Sequence, residues 1–195
     1  MRRFLLFGTL LAISSTAQMV SLPDGQSEAR SPNGLYVIRD VYDRTVPIPG
    51  PAHSLVLVDT RKGTSSTIHT FGRHVDILWS PATDSVAVND HEESNYGTAL
   101  VFFLPWKGRR VTLLDALARF LHAKRQAALL DNDHLYLTAR KWVSDRELLC
   151  RLEGWGDQNP KGFTRYYIYE IGKGFRGYRA QGTSPEKRPG DIHDR

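Results

Sequence analysis

Residues 74–104 constrain the fold more than any other part of this chain. They read His-Val-Asp-Ile-Leu-Trp-Ser-Pro-Ala-Thr-Asp-Ser-Val-Ala-Val-Asn-Asp, then a polar loop, then Gly-Thr-Ala-Leu-Val-Phe-Phe-Leu. β-Branched and aromatic runs, broken by a Ser-Pro turn and a polar loop, predict three strands: one ending at Trp79, one over 86–89 and one over 99–104. The same order recurs upstream. Ser31-Pro32-Asn33-Gly34 precedes a strand over 35–41, a loop holding Pro47, Pro49 and Pro51, a strand over 54–59, the tight turn Arg61-Lys62-Gly63-Thr64 and a strand over 66–71. Ser31 and Ser80 stand 49 residues apart, within the range of repeat architectures.

A third copy starts at Leu135, with Trp142 in the place of Trp79, a loop to Phe163, a strand over 165–171 and a turn at Gly172-Lys173-Gly174. The two tryptophans are 63 residues apart rather than 49, and the surplus is the length of one short inserted helix. Residues 115–130 supply it. Asp115 is the expected N-cap, and Leu117, Phe120, Leu121, the Lys124 stem and Ala128 fall on one side at helical spacing. Such a helix is expected to cover an open edge or face of a sheet.

Composition sets the remaining bounds. With 195 residues, 41% of them apolar, the chain suits one domain with a proper core. Residues 1–17 have the three parts of a secretory signal peptide: Arg2 and Arg3, an apolar run from Phe4 to Ile13, and small residues at Ser15 and Ala17. That run is about half of the ~20 residues a membrane span requires, so no transmembrane segment is expected after cleavage. The segments 18–30 and 181–195 read as a flexible leader and a disordered tail around a repeat domain at 31–180. Without Arg2 and Arg3 the chain carries 24 basic against 21 acidic side chains, too mild and too scattered for nucleic acid. Cys150 is the single cysteine, so no internal disulfide forms and the fold rests on its core.

The unit Trp79-Ser80-Pro81-Ala82-Thr83-Asp84, followed by a strand, a loop and an aromatic-rich strand, resembles the blade of TolB-type β-propellers, whose repeat carries a Trp-Ser-Pro-Asp-Gly turn. Ser31-Pro32-Asn33-Gly34 is similar to the same turn. Here Ala82-Thr83-Asp84 replaces the usual Asp-Gly, and Trp142-Val143-Ser144-Asp145 lacks the proline. The resemblance spans residues 31–175 and implies a mainly β fold: antiparallel sheets from about three propeller-blade-like repeats, as an open or partial propeller, a bent sheet or a sandwich, with one inserted helix. A closed propeller takes about four to eight blades, so three copies leave the ring open unless chains associate as a homo-oligomer. Propellers of that family act mostly as rigid binding platforms and some as domains of enzymes, which implies a manner of working and no particular catalytic residues.

If the copies stack alike, the loops at 40–53, 90–96 and 154–163 emerge from one end. They bring the mix of aromatic anchors and polar groups that binding rims use, and Tyr42, His91, Glu92, Glu93, Tyr96, Trp155 and Asp157 are the candidate binding residues. The expected function is an exported binding or scaffold module, secreted or periplasmic, whose partner is a protein or a cell-envelope component. The alternative is a small hydrolase or carbohydrate-active enzyme using His74, Asp76, His91, Glu92 or Glu93. No metal or cofactor is expected: His91-Glu92-Glu93 are adjacent and lack the His-Glu-x-x-His spacing. Gly172-Lys173-Gly174 follows a strand with no helix to cradle a phosphate. Tyr166, Tyr167 and Tyr169 read as alternation across a half-buried strand.

Overall fold

The computed structural model describes residues 19–23, 26–47, 50–91, 95–157 and 159–178; the expected signal at 1–17 and tail at 181–195 lie outside the described residues. In chain order the elements are β1 (Val20–Leu22), β2 (Glu28–Arg30), β3 (Tyr36–Tyr42), β4 (His53–Asp59), β5 (Thr64–Phe71), β6 (Val75–Trp79), β7 (Ser85–Asp90), β8 (Tyr96–Phe103), β9 (Arg110–Thr112), helix α1 (Leu113–Ala123), a 3-10 turn (Ala127–Leu130), β10 (His134–Trp142), β11 (Glu147–Gly156), β12 (Asn159–Glu170) and β13 (Gly174–Gly177).

Twelve of these strands form three antiparallel meanders, β2–β5, β6–β9 and β10–β13, in each of which sequence order is spatial order. The fold is therefore mainly β, built from three blade-like repeats with one helix inserted between the second and third. β10 also meets β8 in parallel, with Leu135 opposite Tyr96 and Tyr136 opposite Gly97, which joins the second and third meanders into a single sheet.

The repeat is visible in hydrogen bonds as well as in sequence. Ser31 N–H donates to Tyr36 O and Gly34 N–H to Ser31 O; Ser80 N–H donates to Ser85 O and Thr83 N–H to Ser80 O. In both turns the serine Oγ accepts from the backbone N–H five residues on, Tyr36 at 3.0 Å and Ser85 at 3.3 Å. A buried hydroxyl that can both accept and donate is what this corner requires, which accounts for serine at both places. The fourth residue of each turn has positive φ: Gly34 at 69° and Thr83 at 59°. Threonine is a strained occupant there because its branched Cβ crowds the left-handed conformation, and it stands where the resembling turn carries glycine. The third turn is shorter, with Ser144 Oγ accepting from Glu147 N–H at 3.1 Å.

The second meander lies in the middle of the stack. Every residue of β6 and β7 is buried. Val75, Ile77, Trp79, Val86 and Val88 pack toward the first meander with Ile38, Leu55 and Phe71, while Leu78 and Ala87 pack on the other side with Leu137, Leu148 and Leu152 of the third and with α1. Both faces exclude water, so the apolar residues of these strands do not alternate with exposed ones, and their polar residues, Asp76, Ser85, Asn89 and Asp90, are buried as well. Trp79 and Trp142 close the first strands of their meanders and each points into the preceding interface; the Trp142 Nε1–H donates to Leu78 O at 3.0 Å.

Two expectations are corrected. The helix begins at Leu113 rather than at Asp115, because Leu113 and Leu114 are buried and belong to its core-facing stripe. Asp115 instead sits in the first turn, where its charge suits the helix dipole. The α-helix also stops at Ala123: Gln126 N–H reaches Leu121 O and Arg125 N–H reaches His122 O, with Arg125 at φ 56°, and the rest of the expected helix becomes the 3-10 turn. The second correction concerns 18–30, read as a flexible leader. Val20–Leu22 pairs with β6 and Glu28–Arg30 with β3, and Leu22 is fully buried.

Candidate functional site

The loops that follow the second strand of each meander share one end of the stack, and five histidines gather there. His53 and Asp40 bridge β3 and β4, with Nδ1–H donating to the carboxylate at 2.9 Å. His69 Nε2–H donates to Asp90 Oδ2 at 2.6 Å and so ties the first meander to the second. His91 Nε2–H donates to Asp76 Oδ2 at 2.9 Å, Ser21 Oγ–H donates to Asp76 Oδ1 at 2.6 Å, and the His74 ring stacks on His91 at 4.3 Å. His134 stacks on Trp155 at 4.9 Å, and Tyr136 on the same indole at 5.1 Å.

The two-residue period puts His74 and Asp76 on one face of their strand, and the structure has both meet His91 instead of each other. Burial alone would raise the Asp76 pKa, but the hydrogen bonds from His91, Ser21 and Asn89 with the nearby His91 charge outweigh it and hold the carboxyl below its ordinary 3.8. The unfolded chain therefore takes up this proton first as the pH falls. The stability that Asp76 contributes is complete above 3.8 and is lost as the pH drops through its lower folded value. Urea unfolding measured across the acid range should show a shallower loss of stability below about pH 4 in Asp76→Asn than in the parent chain; identical slopes would remove Asp76 from the acid response.

Beside this array, where β8 meets β10, is a cleft of about 200 Å³. One wall comes from the second meander with Asp90, His91, Gly97 and Thr98, the other from the third with Tyr136, Arg151, Glu153 and Trp155. Register explains the walls. Asp90 lies opposite Thr98 on β7 and β8, while Tyr136 lies opposite Glu153 and His134 opposite Trp155 on β10 and β11. Gly97 has a local reason: a Cβ there would come within 3.1 Å of Tyr136 Cδ1, so glycine lets the aromatic ring settle against β8.

The polar groups in these walls are incompletely used. Among the described residues five buried side-chain N or O atoms have no hydrogen-bond partner, and three of them, Asp90 Oδ1, Thr98 Oγ1 and Arg151 Nε, belong to this one cleft. Asp90 is 5% exposed, with its other oxygen held by His69. Arg151 has one guanidinium nitrogen on Glu153 Oε2 at 2.8 Å. A buried polar group without a partner costs about 1–3 kcal/mol, so the acceptor, the donor and the hydroxyl left unsatisfied here concentrate that cost in one cleft.

Of the residues singled out from sequence, His91 and Trp155 line this cleft, and Trp155 is 42% exposed at its mouth. Asp157 is outside the cleft lining, and its backbone N–H donates to Asp133 Oδ2 at 2.8 Å. Tyr96 is exposed at the start of β8, outside the cleft lining. Tyr42 lies against His53 in the first meander, with ring centroids 4.8 Å apart and planes tilted by 43°, and does not line the cleft. Glu92 and Glu93 lie outside the described residues. Thr98, Arg151 and Glu153 sit on strands and so escape a reading centred on loops, and Asp90, at the edge of the 90–96 loop, is the last residue of β7. Arg151, Glu153 and Trp155 at two-residue spacing on one strand were the available signal.

Cys150 is fully buried, its thiol pushed far up by that burial, so it offers no nucleophile here. No three His, Cys, Asp or Glu side chains cluster as metal ligands among the described residues, and no helix there is long and apolar enough to cross a membrane. Comparison of the chain with protein-family models and with curated proteins finds no match.

Proposed function

We propose that the protein is an exported binding module of propeller-blade type, which holds a ligand or the end of a larger envelope component in the cleft between its second and third meanders. The observation that carries this reading is the cleft itself: a rigid strand-built recess with unused hydrogen-bonding capacity at Asp90, Thr98 and Arg151 and an exposed indole at its mouth. Sites placed on strands hold their geometry better than loops do, and a partly exposed tryptophan is the commonest kind of anchor at a binding surface. The three-part signal at 1–17 supports export, and the Trp-Ser-Pro unit supports the platform role seen in TolB-type propellers.

The test is capture from an envelope fraction with the full chain as bait. Trp155→Ala combined with Thr98→Val should lower capture at least tenfold while leaving the unfolding midpoint nearly unmoved, and Tyr42→Ala, remote from the cleft, should leave capture intact. Loss in Tyr42→Ala with retention in the cleft variant would move the site to the first meander and overturn the assignment.

A second reading, a hydrolase, is favoured by the His91–Asp76 pair, whose imidazole borders the cleft. In it His91 would move the proton and Asp76 would orient the ring. Binding is the better supported of the two because Ser21, the hydroxyl joined to this pair, donates to Asp76 and not to the imidazole, the reverse of what a nucleophile and its base require.

A further inference from the structure

The cleft's chemistry narrows what it takes, and this step rests on the binding role just proposed. Asp90 Oδ1 is an acceptor without a donor, Arg151 Nε a donor without an acceptor, and Thr98 Oγ1 is capable of both. A simple cation would satisfy Asp90 but would meet the Arg151 charge and leave its Nε unpaired. A carboxylate would satisfy Arg151 but would lie beside Asp90 and beside Glu153, which already holds Arg151 at 2.8 Å. The same two acidic groups count against a free amino acid, whose carboxylate would have to approach Arg151 between them. What remains is a neutral ligand that carries donors and acceptors together and has an apolar face to lay on an aromatic ring.

We infer that the cleft binds a single neutral sugar ring, free or at the end of a glycan. Each sugar hydroxyl both donates and accepts, so neighbouring hydroxyls can serve Asp90, Thr98 and Arg151 at once, and the C–H face of a pyranose suits the indole of Trp155. The indole is backed by His134 and Tyr136 at 4.9 and 5.1 Å, which fixes its plane before any ligand arrives. The volume agrees with this scale. At about 200 Å³ the cleft is below the roughly 300–1,000 Å³ of sites for drug-sized ligands and suits one ring. The three unpartnered atoms are themselves buried, so engaging them requires a turn of the Asp90, Thr98 and Arg151 side chains toward the ligand.

The experiment titrates the full chain with a panel of neutral aldohexoses and N-acetylhexosamines, and in parallel with the corresponding uronic acids, L-arginine, L-lysine and glycine, following tryptophan fluorescence and heat. At least one neutral sugar should bind and shift the tryptophan emission, and Trp155→Ala and Arg151→Met should each weaken that binding at least tenfold without loss of fold by near-ultraviolet circular dichroism. Asp90→Asn should also weaken it, with Thr98→Val as the second variant should Asp90→Asn fail to fold. Binding of the amino acids or uronic acids in place of neutral sugars would overturn the sugar assignment. So would sugar binding indifferent to Trp155→Ala and Arg151→Met. If no probe binds while envelope capture still depends on Trp155 and Thr98, the sugar assignment fails and the binding role stands; if capture is also indifferent to them, both fail.

Discussion

Replacing Asn89 with leucine should cost the protein about 3 kcal/mol, roughly 6–12 °C in melting temperature for a chain of this size. Asn89 is 1% exposed, and its side-chain amide works like a short piece of backbone: Nδ2–H donates to Ala139 O at 3.0 Å and Oδ1 accepts from Ala139 N–H at 2.7 Å. Those two bonds fasten the first strand of the third meander across the face of the second. Leucine keeps the shape and removes both bonds, as well as the one to Asp76, leaving a buried N–H and a buried C=O of Ala139 each without a partner, which is the expensive half of losing a hydrogen bond. Urea unfolding followed by tryptophan fluorescence measures it. A loss below 1 kcal/mol would mean that Ala139 finds other partners and that the two meanders are joined mainly by apolar contact.

The second large effect is expected at Leu117. It is fully buried at the centre of α1, among Leu113, Leu114 and Leu121, in the core that also holds Leu78, Val101, Leu137 and Leu148. Truncation to alanine removes the transfer free energy of the deleted carbons and leaves a cavity between sheet and helix, for a combined cost of about 2–5 kcal/mol. Ala116→Gly on the same helix is the comparison: a propensity loss of about 1 kcal/mol with little change in packing. If the two variants lose equal stability, the helix is a cover of marginal importance; if Leu117→Ala loses several times more, the helix is part of the core.

The repeat was legible because its signals are local. Ser31 and Ser80 close equivalent corners, Trp79 and Trp142 end equivalent strands, and Gly172 and Gly174 make the hairpin expected of them. Tyr167 and Tyr169 are buried and Tyr166 is exposed, but Ile168 between them is buried too, so this strand does not alternate to its end. What stayed hidden depends on contacts between distant residues. Val20–Leu22 is three residues long, too short to show a period, and it becomes a strand only because β6 offers an edge. Asn89 reads as the polar end of a strand, and nothing local reveals that it fastens a segment 50 residues away. The cleft is assembled from β7, β8, β10 and β11, so its polar groups come together only when the second and third meanders join. Of the loop residues read from sequence, His91 and Trp155 line the cleft, while Tyr42 lies against His53 in the first meander.

The long-range pairing of β1 has a kinetic consequence. Ser21 is synthesised before its partner Asp76, which lies 55 residues further on, so this segment waits, unclasped, while the whole first meander is made. Shortening the chain to Pro23 would strip the clasp from β6 and leave that strand with a bare flank, a ready seat for the same strand of another copy.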